Sequence, residues 1–153
     1  MSVRIQTEDF SPEAPPQWEG RSDIGAVCTF VGRVRGDGDL IALDIEHYPG
    51  MAERSIAAMI AAAVERFALI DADVVHRVGH LPVGANIVRV SAAASHRRAA
   101  FEGCAFLMDF LKTQAPFWKK ECTPGGSRPV AARGEDDAAL RRRGIVSNNA
   151  DGH

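Results

Sequence analysis

A chain of 153 residues is the length of one ordinary domain, and with 46% apolar and 25% charged residues it can bury a core of its own. Its formal net charge of -2 excludes a general attraction to nucleic acid, so any anion it binds must meet a local group of cations. No apolar stretch is long enough to span a bilayer, and the first ten residues, with Arg4, Glu8 and Asp9, lack the apolar centre of a signal peptide. A cytoplasmic protein without a membrane partner is the expectation.

In chain order, residues 3–6 read as a short strand. Pro12, Pro15 and Pro16 then exclude a long helix and leave room for one helical turn around Trp18. Residues 24–34 (IGAVCTFVGRV) are β-branched and aromatic, a buried strand. A turn at 36–39 leads to a second strand over 40–48 (LIALDIEHY), expected to pair with the first. Pro49 and Gly50 end it. Residues 51–69 form an alanine-rich helix with Ile56, Met59, Ile60, Ala63, Val64 and Phe67 in one apolar stripe. Residues 73–81 and 86–94 read as two strands joined at 82–85. Ser95 is the expected N-cap of a helix over 96–113, with Phe101, Ala105, Met108 and Leu111 on its buried face. Pro116 stops it. Residues 117–122 are extended, 123–126 turn, Val130 begins a last ordered piece, 135–143 have the makings of a polar helix, and 145–153 read as a frayed tail. Short links between strands favour an α+β domain with a mostly antiparallel sheet and two main helices, over residues 1–134, followed by a polar tail over 135–153.

Several groups of residues invite a chemical reading. Cys28, Cys104 and Cys122 are widely spaced and form no CxxC pair, so neither a zinc knuckle nor a redox pair is indicated. His76 and His80 are four apart, but on a strand that separation is roughly 13 Å, too far for one ion. Glu46 and His47 alternate to opposite faces of a strand and suit a hydrogen-bonded edge or a partner contact better than a catalytic dyad. Arg33 and Arg35 share one side of a strand end, before a glycine-rich loop, as either an oxyanion grip or a solvated strand end. His96 and Arg97 open a helix, where free backbone N–H groups favour anions. Cations there oppose the helix dipole, by up to about 1 kcal/mol, unless a bound anion offsets them.

The most specific stretch is 109–121, DFLKTQAPFWKKE. Of eighteen basic residues fifteen are arginine, and the three lysines, Lys112, Lys119 and Lys120, fall within nine positions. An ammonium can lose its proton when desolvated, whereas a guanidinium cannot, so this segment points to amine chemistry unless codon bias explains the clustering. Phe117 and Trp118 can exclude water beside a lysine, and Glu121 can position an ammonium. The plainer alternative is Lys112 as a helix-terminal charge and the aromatics as core.

Five segments, GAVCTFVGRVR (25–35), IEHYPGM (45–51), HRVGHLPVG (76–84), SHR (95–97) and DFLKTQAPFWKKE (109–121), together resemble the molybdopterin synthase large-subunit family from about residue 25 to 133. The resemblance implies an α/β hammerhead fold and a homodimer of large subunits within a heterotetramer. The second partner is a small ubiquitin-like carrier whose C-terminal Gly-Gly bears a thiocarboxylate. The implied substrate is cyclic pyranopterin monophosphate, which receives two sulfurs to become molybdopterin. Carried over by motif, Lys112 and Lys119 are the catalytic pair. Arg33, Val34, Arg35, His96, Arg97, Lys119, Lys120, Glu121 and Arg133 join them in substrate binding, Arg133 as a residue that reaches a neighbouring subunit's pocket. The stretch 127–129 and the loop after Arg35 depart from the family pattern. Sulfur arrives on the partner, so the resemblance implies no metal, no cofactor and no cysteine nucleophile. A non-catalytic pterin or nucleotide-binding module, or an adaptor for a ubiquitin-like protein, remains open on the same residues.

Overall fold

The computed structural model describes residues 1–130. Arg133, the domain limit at 134, the polar helix over 135–143 and the tail lie outside the described residues. The elements run β1 (Ser2–Gln6), a 3-10 turn (Pro16–Trp18), β2 (Ala26–Arg33), β3 (Ala42–His47), α1 (Met51–Phe67), β4 (Asp71–Arg77), β5 (Gly79–Pro82), β6 (Asn86–Ala94), α2 (Arg97–Thr113), β7 (Phe117–Thr123) and β8 (Gly126–Pro129). The strands form two four-stranded sheets, β1-β4-β6-β2 and β5-β3-β7-β8. Only β1 with β4 is parallel among the described pairs. The α+β class with mostly antiparallel pairing therefore stands, divided between two sheets.

The first sheet and the two helices share the core. Ile56, Ile60 and Ala63 of α1 are fully buried in the expected stripe. Each isoleucine contributes roughly 1.5–3 kcal/mol by leaving water. They meet Val74, Val90 and Ala92 of the sheet and Leu107 of α2 in one cluster. Gly50 starts α1 at φ +83°, a left-handed backbone that glycine adopts freely, and its N–H donates to the Glu53 carboxylate. Gly25 is also required: a Cβ there would stand 2.1 Å from the Ser95 carbonyl oxygen.

Four expectations are corrected. β3 does not pair with β2; it lies between β5 and β7 in the second sheet. The link from Val34 to Ile41 carries the chain across, with Val34 bonded to Ala85 and Gly84, and Ile41 to Cys122 and Val83. The single strand over 73–81 is two strands, because Gly79, at φ +97°, bends the chain out of one sheet into the other. The N-cap of α2 is His96 rather than Ser95, with no side-chain cap bond. Phe101 is exposed, since α2 buries a broader face of Ala100, Gly103, Cys104, Phe106, Leu107 and Leu111, wedged between α1 and the first sheet. The hairpin strand β8 follows a turn that was expected, but its own pairing with β7 was not.

One buried ion pair fixes the N-terminal segment. Asp73 and Arg89, both under 5% exposed, meet at 2.7 Å across β4 and β6. Arg89 also donates to the Ser11 and Glu13 carbonyls at 2.9 and 2.7 Å. Trp18, from the proline-rich stretch, is buried and donates its indole N–H to Asp71.

Candidate active site

Lys112 is exposed in the last turn of α2. Three residues later the chain turns tightly, with the N–H of Ala115 donating to Phe110 and that of Phe117 to Ala115. Pro116 forbids further helix, and β7 begins at Phe117. β7 is held on both sides, by β3 and β8. Its side chains alternate between faces. Phe117, Lys119 and Glu121 stand opposite His47, Ile45 and Leu43; because Ile45 is buried, this face looks inward. Trp118, Lys120 and Cys122 occupy the outer face.

The inward face of β7 meets the end of β4. His76 is 2% exposed and stacks on Phe117 with ring centroids 4.0 Å apart at 13°. Its Nδ1 lies 2.7 Å from the Arg77 carbonyl oxygen, an acceptor only, so Nδ1 carries the proton and Nε2 is left as a lone pair. Burial drives the His76 pKa down from 6.5 to about 3, and the charges of Lys119 and Lys112 push the same way against the hydrogen bond to Arg77. The charges of Lys119 and Lys112 both bear on this buried imidazole, and Lys119 shares the inward face of β7 with Phe117, which stacks on it. His47, on β3 opposite Phe117, lies 3.7 Å from Glu53, whose other oxygen receives the Gly50 N–H. The motif around His47 was legible; its link through Glu53 to the helix start was not, and nothing in the spacing marked His76 as a neighbour of the lysines.

This buried histidine has a measurable consequence. The unfolded chain takes up a proton near pH 6.5, the folded chain only near 3. Stability therefore falls as pH drops through 6.5 toward 3, by about 1.4 kcal/mol per pH unit. Asp44 and Asp71, whose pKa values lie below 3.8, respond only in stronger acid. Between pH 6.5 and 5 a loss of about 2 kcal/mol is expected. Urea unfolding at the two pH values should show it in the wild type, and His76→Phe should flatten it. An undiminished loss in the variant would assign the dependence to other groups.

The remaining expected residues fall into two places. β6 ends at Ala94 and α2 runs back along it, so the end of α2 lies over the start of β6, where Arg33 of β2 is paired with Asn86. A bulge at Gly32 and Arg33 re-aims the strand end there. Arg33 donates to the Asn86 side chain, Val34 is buried, and Arg35 is exposed 3.7 Å from Asp37. These belong to the Lys112 end of the molecule. His96 and Arg97 do not: Lys112 lies fifteen positions along the helix from Arg97, roughly 22 Å. They line an open depression with Arg98, Phe101 and Glu102. Lys120 is turned away from Lys119, opposite Asp44, and Glu121 is engaged with Arg128 at 2.9 Å. Lys112 and Lys119 thus bear on His76, Arg33 lies at the strand end beside the start of β6, and His96 and Arg97 form a second cationic cluster at the other end of α2.

The family model described as MoaE protein matches residues 5–114, well over half of the chain. The chain belongs to the MoaE protein family. Among its relatives, the molybdopterin synthase catalytic subunit of Ralstonia nicotianae is 48% identical, with 97% of this chain and 88% of that one covered. That of Rhizobium meliloti is 51% identical over 93% of this chain and 95% of that one. The solved MoaE protein from Burkholderia ambifaria aligns with a TM-score of 0.77 at 47% identity, covering 95% and 100% of the two chains. The molybdopterin synthase structure from Staphylococcus aureus aligns at 0.77 with 27% identity, covering 84% and 96%. This MoaE-family chain is thus similar throughout its length to catalytic subunits, and it shares their fold.

Proposed function

We propose that the chain is the catalytic subunit of a molybdopterin synthase, transferring sulfur from a thiocarboxylated ubiquitin-like carrier to cyclic pyranopterin monophosphate, with Lys112 and Lys119 as its working amines. What supports the residue assignment is that the charges of Lys112 and Lys119 both bear on buried His76, and that Lys119 shares a face of β7 with Phe117, which stacks on that ring. Both reactants are anions, and cations fixed beforehand hold them and steady charge that grows during transfer. Lys112, exposed at the helix tip, is placed to meet the incoming carrier terminus. Lys119, half-buried on a strand hydrogen-bonded on both sides, is suited to the pterin or its phosphate. Arg33, Val34 and Arg35 form the neighbouring rim, and Glu121 holds Arg128 at its edge.

The far cluster of His96 and Arg97 enters the same reaction only if a second copy presents it, in keeping with a homodimer inside the heterotetramer. Lys120 lies on the face of β7 opposite Lys119, beside Asp44. Three free thiols, Cys28, Cys104 and Cys122, suit a reducing compartment, and the cytoplasm is the proposed location. No helix among the described residues is long and apolar enough to cross a membrane.

The deciding experiment mixes the purified chain with thiocarboxylated carrier and cyclic pterin phosphate and assays dithiolene product. Product formation that requires all three is the expected result. Pterin binding without product would reduce the chain to a binding module, and carrier binding without pterin affinity to an adaptor.

A further inference from the structure

We propose that Asp44, His80 and Cys122 form a binding site for a divalent metal ion of the zinc class, on the outer face of the second sheet. The three residues come from three adjacent strands, β3, β5 and β7. Asp44 stands directly opposite His80 in one register, and Cys122 lies one same-face position along β7 from Lys120, which is opposite Asp44 in the other. Their side chains share a face, and one ligand atom from each lies within 4.8 Å of the others. Asp44 Oδ1 is 2.7 Å from His80 Nδ1, and Oδ2 is 3.2 Å from Cys122 Sγ. A tetrahedral zinc ion with bonds of about 2.0–2.3 Å needs its donors roughly 3.3–3.6 Å apart, which small side-chain rotations supply here. The backbone need not move, because interstrand hydrogen bonds already set the spacing.

The donor set points to the class of ion. One thiolate, one imidazole and one carboxylate suit zinc and cobalt(II) and fit neither calcium nor magnesium, which take oxygen. The His80 side chain is 64% exposed, so the fourth position opens to solvent. Among the described residues no second cluster offers three such donors.

The proton arrangement fits as well. One carboxylate accepts from both neighbours, and the Cys122 thiol's hydrogen bond to it, with burial and its charge, raises that thiol's pKa. A divalent cation between the three groups reverses this. The S–H bond breaks, its proton passes to solvent, and sulfur gives its electron pair to the metal; nothing is oxidised or reduced. Lys120, whose charge lies beside Asp44, is exposed and can swing outward on its flexible stem. The site is separate from the sulfur-transfer reading, since it lies on the face of β7 opposite Lys119. Its effect would be to clamp β5, β3 and β7 together.

The test is a titration of the full chain with cobalt(II), followed by competition with zinc. A thiolate-to-cobalt charge-transfer band with tetrahedral ligand-field bands is expected in the wild type and in Cys28→Ser. In Cys122→Ser the charge-transfer band should vanish, and His80→Ala should weaken zinc by more than about 100-fold, since outer-shell changes alone cost 10–100-fold. Zinc should also raise the thermal midpoint of the wild type and leave both variants unmoved, a readout independent of sulfur transfer. The proposal is overturned if the wild type gives no charge-transfer band, or if Cys122→Ser and His80→Ala bind as tightly as it does.

Discussion

Lys119→Ala should lower dithiolene formation by at least ~10²–10³-fold, the loss typical when one fixed donor to developing negative charge is removed, and Lys112→Ala should do the same. The reason is positional. Lys119 sits half-buried on a strand bonded on both sides, opposite Ile45 and on the same face as Phe117, which stacks on His76. Lys112 leaves the tip of a helix whose end is fixed by the turn into Pro116. Carrier binding should survive both changes, because neither side chain belongs to the buried apolar core. Lys112→Arg separates charge from amine: full activity in that variant would limit Lys112 to electrostatics. Wild-type turnover in either alanine variant would remove that residue from the mechanism.

The largest loss of stability is expected from splitting the Asp73–Arg89 pair. Asp73→Leu leaves a guanidinium buried without its counter-charge and should cost about 3–5 kcal/mol, a large part of the 5–15 kcal/mol that folds an ordinary domain. Arg89→Met strands the carboxylate and also releases the Ser11 and Glu13 carbonyls, so the N-terminal segment should become protease-sensitive as well. The double variant Asp73→Leu/Arg89→Met should recover much of the loss, since an apolar pair of similar volume avoids desolvating two charges. Urea denaturation of the four proteins gives the coupling directly. Single variants that each lose less than 1 kcal/mol would mean that water reaches the pair and screens it.

What could be read beforehand was local. The apolar stripe of α1, the stop at Pro116 and the extended run after it each depend on residues a few positions apart, and each appears in the structure. The lysine-bearing segment was the clearest of all, because its unusual composition lies within one stretch. What escaped depends on distant neighbours. Nothing within 40–48 reveals that this strand prefers β5 and β7 to β2. The bend at Gly79 looks, in the sequence, like a continuous strand with one glycine. Phe101 was assigned inward because the breadth of α2's buried face depends on its being wedged between α1 and a sheet. The site divides the same way. Lys112 and Lys119 stood out, but the buried histidine that feels their charge comes from 36 residues earlier than Lys112, and the length of α2 removes His96 and Arg97 from Lys112. Cys122 looked idle because its partners, Asp44 and His80, are 78 and 42 positions away.

The alternation along β7 means that reactivity here depends on parity. With Ala115 and Pro116 anchoring one end, inserting or deleting a single residue before Phe117 would turn the whole strand over, presenting an indole and Lys120 to the interior and exiling Lys119 to solvent. The chain would retain every chemically competent group and still lose its active arrangement. Length at this junction is therefore under tighter constraint than the identity of most residues around it.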